Sequence, residues 1–143
     1  MRGPITVRRL AKALLLCALL VAIHLPAARA DGEMEVTDSG VGRAVVDREL
    51  LDRGDSFDEG GEVWFWTRVA GGTGQVLRHA WLRQGEEVHV QELEIGAEGW
   101  RTWSKKRMHP GSVGDWAVEA RDAEGRVLAR HEFRCVLPTK RED

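Results

Sequence analysis

The sequence predicts an all-β domain: an antiparallel β-sandwich of about seven strands with immunoglobulin-like order. Three observations predict it. Short runs alternate between apolar and polar residues with the period of two that a strand imposes. Turn signals separate these runs every eight to twelve residues or so. Beyond the first thirty residues, no stretch carries the spacing of a long amphipathic helix. A small closed β-barrel is the alternative architecture.

The first thirty residues read as a signal peptide rather than as part of the fold. Arg2, Arg8, Arg9 and Lys12 form a basic start, residues 13–25 an apolar run broken by His24, and Ala28-Arg29-Ala30 a small-residue cleavage pattern. The run is short for a bilayer span, which needs roughly 20 apolar residues. Leu16 before Cys17 stands where a lipoprotein site requires a small residue. The expectation is a bacterial protein, periplasmic or secreted, whose mature chain starts at Asp31, with no lasting membrane insertion after cleavage. A retained anchor is the alternative. Removing five bases from the chain's 21 leaves 16 against 23 acids, a net charge of −7. That balance argues against a nucleic-acid partner, which demands a basic footprint. With Cys17 removed, Cys135 has no intramolecular disulfide partner, so packing must hold the domain together. Its alternation with Phe133 reads as a small buried hydrophobe.

Each element follows from local pattern. Residues 31–40 are polar and acidic and read as a flexible leader; the domain itself is expected over 41–137, with a charged tail over 138–143. Residues 41–48 predict a first edge strand. Residues 50–61, rich in Asp, Glu and Gly, predict a connection with a helical turn. In 62–69, Val63, Phe65, Thr67 and Val69 point one way and Trp64, Trp66 and Arg68 the other, as in a central strand. Gly71-Gly72-Thr73-Gly74 turns the chain. In 75–84, Leu77, His79 and Trp81 share one face and Ala80 and Leu82 the other. Gln84-Gly85 predicts a hairpin into 86–95. There, Val88 and Val90 against Leu93 and Ile95 suggest a bulge near Gln91-Glu92. Trp100-Arg101-Thr102-Trp103-Ser104 makes a strand with Trp100, Thr102 and Ser104 on one side and Arg101 and Trp103 on the other. Residues 113–121 put Trp116, Val118 and Ala120 inward. Asp122 to Gly125 turns into 126–136, where Val127, Ala129, Phe133 and Cys135 are in phase.

These runs carry a family resemblance. Val63-Trp64-Phe65-Trp66-Thr67, His79-Ala80-Trp81, Trp100-Arg101-Thr102-Trp103-Ser104, Gly114-Asp115-Trp116-Ala117-Val118-Glu119 and residues 122–128 occur in that order. Together they resemble the bacterial domain of unknown function 2914, over roughly residues 41–136. The His-x-Trp and Arg-Thr-x-Ser patterns of that family are both matched. The resemblance implies an exported or membrane-attached domain and no known activity. Family members often carry the domain beside transmembrane segments; here the signal segment is the one such stretch.

Little in the sequence points to catalysis. Ser104, His79 and Asp115 can be written as a triad, but no glycine-flanked nucleophile elbow accompanies them. The histidines have no His-x-His spacing, so no metal site and no cofactor is expected. The scattered acids do not form the carboxylate pair of a glycosidase. Six tryptophans and no tyrosine are the outstanding feature. Tryptophans fill sandwich cores, and an exposed row of them stacks on sugar rings. The candidate ligand-binding residues are therefore Trp64, Trp66, His79, Trp81, Arg101, Trp103 and Ser104. Arg101 is expected at least half buried with its guanidinium against an indole, and its removal is expected to cost roughly 2–4 kcal/mol if an acid or carbonyl receives its donors. The leading functional expectation is a non-enzymatic binding domain whose partner is an envelope protein or a peptide added to an edge strand. The alternatives are a carbohydrate-binding module that uses exposed tryptophans on a glycan, and an enzyme with His79 and Arg101 in its site.

Overall fold

The computed structural model describes residues 32–140. The signal segment, Cys17, the mature start at Asp31 and the end of the tail lie outside these residues. The described chain forms β1 (Glu35–Gly42), β2 (Ala44–Val46), β3 (Glu49–Leu51), β4 (Ser56–Asp58), β5 (Glu62–Ala70), β6 (Val76–Arg83), β7 (Glu86–Glu94), β8 (Trp100–Arg107), β9 (Gly114–Arg121) and β10 (Val127–Val136). One sheet has the order β1-β5-β8 and the other β4-β10-β9-β6-β7; β2 and β3 form a separate hairpin. Neither sheet closes, so the architecture is a β-sandwich and not a barrel. The three strands β1, β5 and β8 face the β10-β9-β6 centre in immunoglobulin-like order. All pairings are antiparallel except β4 against β10.

The inward rows fill the space between the sheets. Val63, Phe65 and Val69 from β5 meet Leu77 and Trp81 from β6, Trp116 and Val118 from β9, and Phe133 and Cys135 from β10. Phe133 is the hub: Trp116 stacks on it at 6.1 Å, and Phe57 and Trp81 meet it edge-on at 5.6 and 6.2 Å. Each such side chain contributes roughly 1.5–3 kcal/mol by leaving water. Cys135 lies in this core, and burial pushes its thiol up.

Three expectations are corrected. The leader ends early: β1 starts at Glu35 and pairs with β5, because Ser39 to Gly42 lie in ladder register with Thr67 to Trp64 despite their polar look. Met34 is already core. Residues 44–58 hold no helical turn but three short strands. The β2–β3 hairpin lies over the outer face of β1 and β5, and Gly42 allows the approach: a Cβ there would meet the Leu51 carbonyl oxygen at 2.4 Å. The irregularity in β7 lies elsewhere. Trp81 opposes His89 and Leu82 opposes Glu87, which leaves Val88 extra. Val90 and Leu93 point to opposite faces because they are three apart, with no slip at Gln91-Glu92. The turn before β7 is as expected, since Gln84 and Gly85 both have positive φ, as a two-residue primed turn requires.

Candidate functional site

The seven candidate residues divide into two groups on opposite faces of the three-stranded sheet. His79, Trp81 and Ser104 lie inside the sandwich, all buried. Trp64, Trp66, Arg101 and Trp103 lie on its outer face. His79 and Arg101 therefore lie on opposite faces of that sheet and are not brought together.

The inner group is a hydrogen-bonded chain between the sheets. Ser104 Oγ lies 2.8 Å from His79 Nδ1 and receives the Trp81 indole N–H at 3.2 Å. Thr67 Oγ1 lies 3.3 Å from His79 Nε2 and donates to the Thr102 carbonyl at 3.2 Å. Every proton then has one place to go. Thr67 spends its hydroxyl proton on Thr102, so it accepts from Nε2–H. Ser104 accepts from Trp81 and donates to Nδ1. The network is complete with a neutral imidazole, and a proton on Nδ1 would leave the Ser104 hydroxyl without its acceptor. Phe65 packs on the ring at 4.4 Å. Burial lowers the His79 pKa to about 3. A serine beside a histidine is present, yet the base is too weak to take the serine proton near neutrality, and both groups are sealed from solvent. Asp115, the third member of the written triad, is exposed and pairs with Arg134. Thr67 was missed as a member of this group. Its signal was a hydroxyl residue between Phe65 and Val69 on the apolar face of the most hydrophobic strand.

The outer group is aromatic and basic. Trp66 opposes Trp103 in register, Arg68 opposes Arg101, and Trp64 opposes Lys105. Trp66 is fully buried although it points outward, because the β2–β3 hairpin covers it and the Arg48 carbonyl accepts its N–H at 2.9 Å. Trp64 and Trp103 are half-buried, with Lys105 Nζ 4.9 Å from the Trp64 ring. With Trp66 and Trp81 both buried, the four-tryptophan platform does not exist; two of its members remain partly open. Arg101 is 28% exposed as a side chain, so the expected burial holds, but its partner is the Glu49 carboxylate and not an indole. Arg53 and Arg68 take the positions over Trp66 instead, at 5.6 and 5.5 Å.

Two further surfaces complete the candidates. The outer face of the five-stranded sheet carries an arginine–glutamate ladder around Glu119, which is buried over Ala80 and Ala117. Burial pushes its carboxyl up, but Arg121 and Arg130 more than offset this and hold it below the ordinary range. An open groove of about 640 Å³ runs beside it between Asp55, Gln84, Asp115, Arg130 and Arg134. The second surface is β7 itself. It pairs with β6 on one side and with no other described strand. Eight of its nine residues are exposed, with Val88 and Val90 at 48% and 37%.

Residues 74–135 match the family model described as "Protein of unknown function (DUF2914)". This region is of the DUF2914 family. The match covers β6 to most of β10, and so takes in His79, Trp81, β7, Arg101, Trp103 and Ser104. β1 to β5, with Trp64, Trp66 and the β2–β3 hairpin, lie before the matched DUF2914 region. No curated protein matches the chain. Among solved structures, it is similar to the Pseudomonas fluorescens alkylpurine DNA glycosylase AlkC bound to DNA containing an abasic site analog, at 12% identity and a TM-score of 0.46. That likeness covers 73% of this chain and 30% of the glycosylase chain. Among the described residues, no helix is long and apolar enough to cross a membrane, and no cluster of His, Cys, Asp and Glu suits a metal.

Proposed function

We propose that the protein is an exported, non-enzymatic binding domain of the bacterial envelope that takes an extended segment of a partner protein onto β7. Export rests on the basic start, apolar run and Ala-x-Ala pattern of residues 1–30. Binding rests on one observation: β7 is a nine-residue strand, exposed along its length, with one side of its backbone unpaired by any described strand. Such an edge offers a row of N–H and C=O groups to an added strand.

The side chains of β7 narrow the partner. Glu86 and Glu94 make the two ends of the edge acidic, Glu87 and Glu92 being ion-paired with Arg121 and Arg78, while Val88 and Val90 offer an apolar patch. A second copy of β7 laid antiparallel about Val90 would bring Glu86 against Glu94, a repulsive cross-strand pair. A segment with basic residues around one or two apolar ones fits instead. The test is capture from envelope extract with wild-type protein and with Val88→Lys/Val90→Lys, which keeps the fold but places cations on the edge. A protein retained by wild type and lost from the variant is expected. Capture of the same proteins by both, or turnover in a hydrolase screen, would contradict the reading.

A further inference from the structure

Arg68 and Arg101 stand directly opposite each other on β5 and β8, side chains on the same outer face. Like charges so placed repel. One carboxylate answers both: Glu49 of β3 pairs with Arg101 and lies 3.9 Å from Arg68. Asp38 of β1 also stands opposite Arg68 on this face, where Arg53 holds it at 3.3 Å, and Glu62 is held by Lys105. Arg53, Arg68 and Arg101 thus stand around two carboxylates, and the one that serves both Arg68 and Arg101 comes from a side chain that is 49% exposed. Trp103 lies next to Arg101 in the same row, and Trp64 lies beyond it beside Lys105.

We propose that Arg68 and Arg101, with Trp64 and Trp103 beside them, form a carboxylate-binding site for an acidic saccharide, filled in the free protein by the chain's own Glu49. A planar guanidinium fork matches a carboxylate, and an indole face matches the C–H face of a sugar ring. The location favours a sugar over an extended acidic peptide. A ligand seated on this sheet face meets side chains: the β5 backbone is spent in its two ladders, and the open edge of β8 points along the plane of the sheet, away from the face, so a peptide lying here gains no main-chain bonds whereas stacking and ion pairing remain available. Glu49 leaves easily. The hairpin that carries it is held separately, through Trp66 Nε1 on the Arg48 carbonyl and the buried Leu50. A side-chain rotation therefore vacates the site without moving the hairpin. This site lies on the sheet opposite β7 and does not depend on the reading of that edge.

The test is a titration of tryptophan fluorescence with trigalacturonate, cellotriose and triglutamate. Trigalacturonate should bind, weaken with added salt, and bind about five-fold tighter to Glu49→Gln, in which the competing charge is gone. Arg101→Lys should weaken it while keeping the charge, because the fork is lost. Val88→Lys/Val90→Lys should leave it unchanged. Equal binding of cellotriose would overturn the carboxylate site, and triglutamate binding as well as trigalacturonate would make this an acidic-peptide surface. No response from either wild type or a folded Glu49→Gln would end the proposal.

Discussion

The two faces of β5 use the same residue types to opposite ends. Inward, Thr67 joins His79, Ser104 and Trp81 in a sealed network where each donor has one acceptor. Outward, Trp64, Trp66 and Arg68 meet Trp103 and Arg101 in an arrangement of partly open indoles and shared charge. Polar groups inside are matched one to one, and removing any of them strands another. Polar groups outside are mismatched, with Arg53, Arg68 and Arg101 around Asp38 and Glu49, and remain reachable. Hydrogen-bonded histidine and serine in a core therefore mark structure here, and the surplus charge at the surface marks the place to look for a ligand.

That contrast can be broken by mutation. His79→Ala should be the most damaging change, about 3–5 kcal/mol, since it opens a cavity and leaves Ser104 and Thr67 without their partner; thermal unfolding measures it, and a loss below about 1 kcal/mol would mean the network is dispensable. Acid should act through the same residue. The unfolded chain takes up a proton on this histidine near its model value of 6.5, and the folded chain only near 3. Between those values the unfolded state holds more protons. Stability therefore falls as pH drops through that window, by about 1 kcal/mol per unit from His79, and this contribution is flat above it. Denaturant titrations at stepped pH on wild type and His79→Gln should differ in slope by that amount.

The outer face should respond less. Trp66→Phe is expected to cost about 2 kcal/mol, because it removes the bond to the Arg48 carbonyl and loosens the hairpin. Arg101→Ala should cost about 1 kcal/mol or less: its ion pair is partly exposed, and its loss relieves Arg68. The larger cost expected from the sequence, for an Arg101 whose donors reach an acid or carbonyl, is cut because the acid it reaches, Glu49, is itself 49% exposed. Val88→Lys/Val90→Lys should change stability by less than about 0.5 kcal/mol, as both positions are exposed. A larger loss would show that β7 is covered in the folded protein and would remove the edge from consideration.

Alternation made most of this legible. The period-two rows put Trp116 and Cys135 in the core with Phe133 in phase, and set Phe65 opposite Trp64 and Arg68, because side-chain direction in a strand is a local property; which face of 62–69 and of 75–84 turned inward was not legible. Partners were not legible. Glu49 reaches Arg101 from 52 positions away along the chain, through a hairpin whose first strand was read as part of an edge strand over 41–48 and whose second strand ran into an expected connection. The same hairpin turned Trp66 from a surface indole into a buried one. β1 was missed for a related reason: its polar residues earn their place by ladder bonds to β5, which leave no trace in composition.

The central claim is that His79 is a neutral, sealed structural residue. Nitrogen-15 NMR of the imidazole tests it most directly. The account predicts a neutral ring with the proton on Nε2, unchanged from pH 8 down to about pH 4 for as long as the protein stays folded. A ring that titrates between pH 6 and 7 in the folded state would contradict it, and would make His79 an accessible acid–base group.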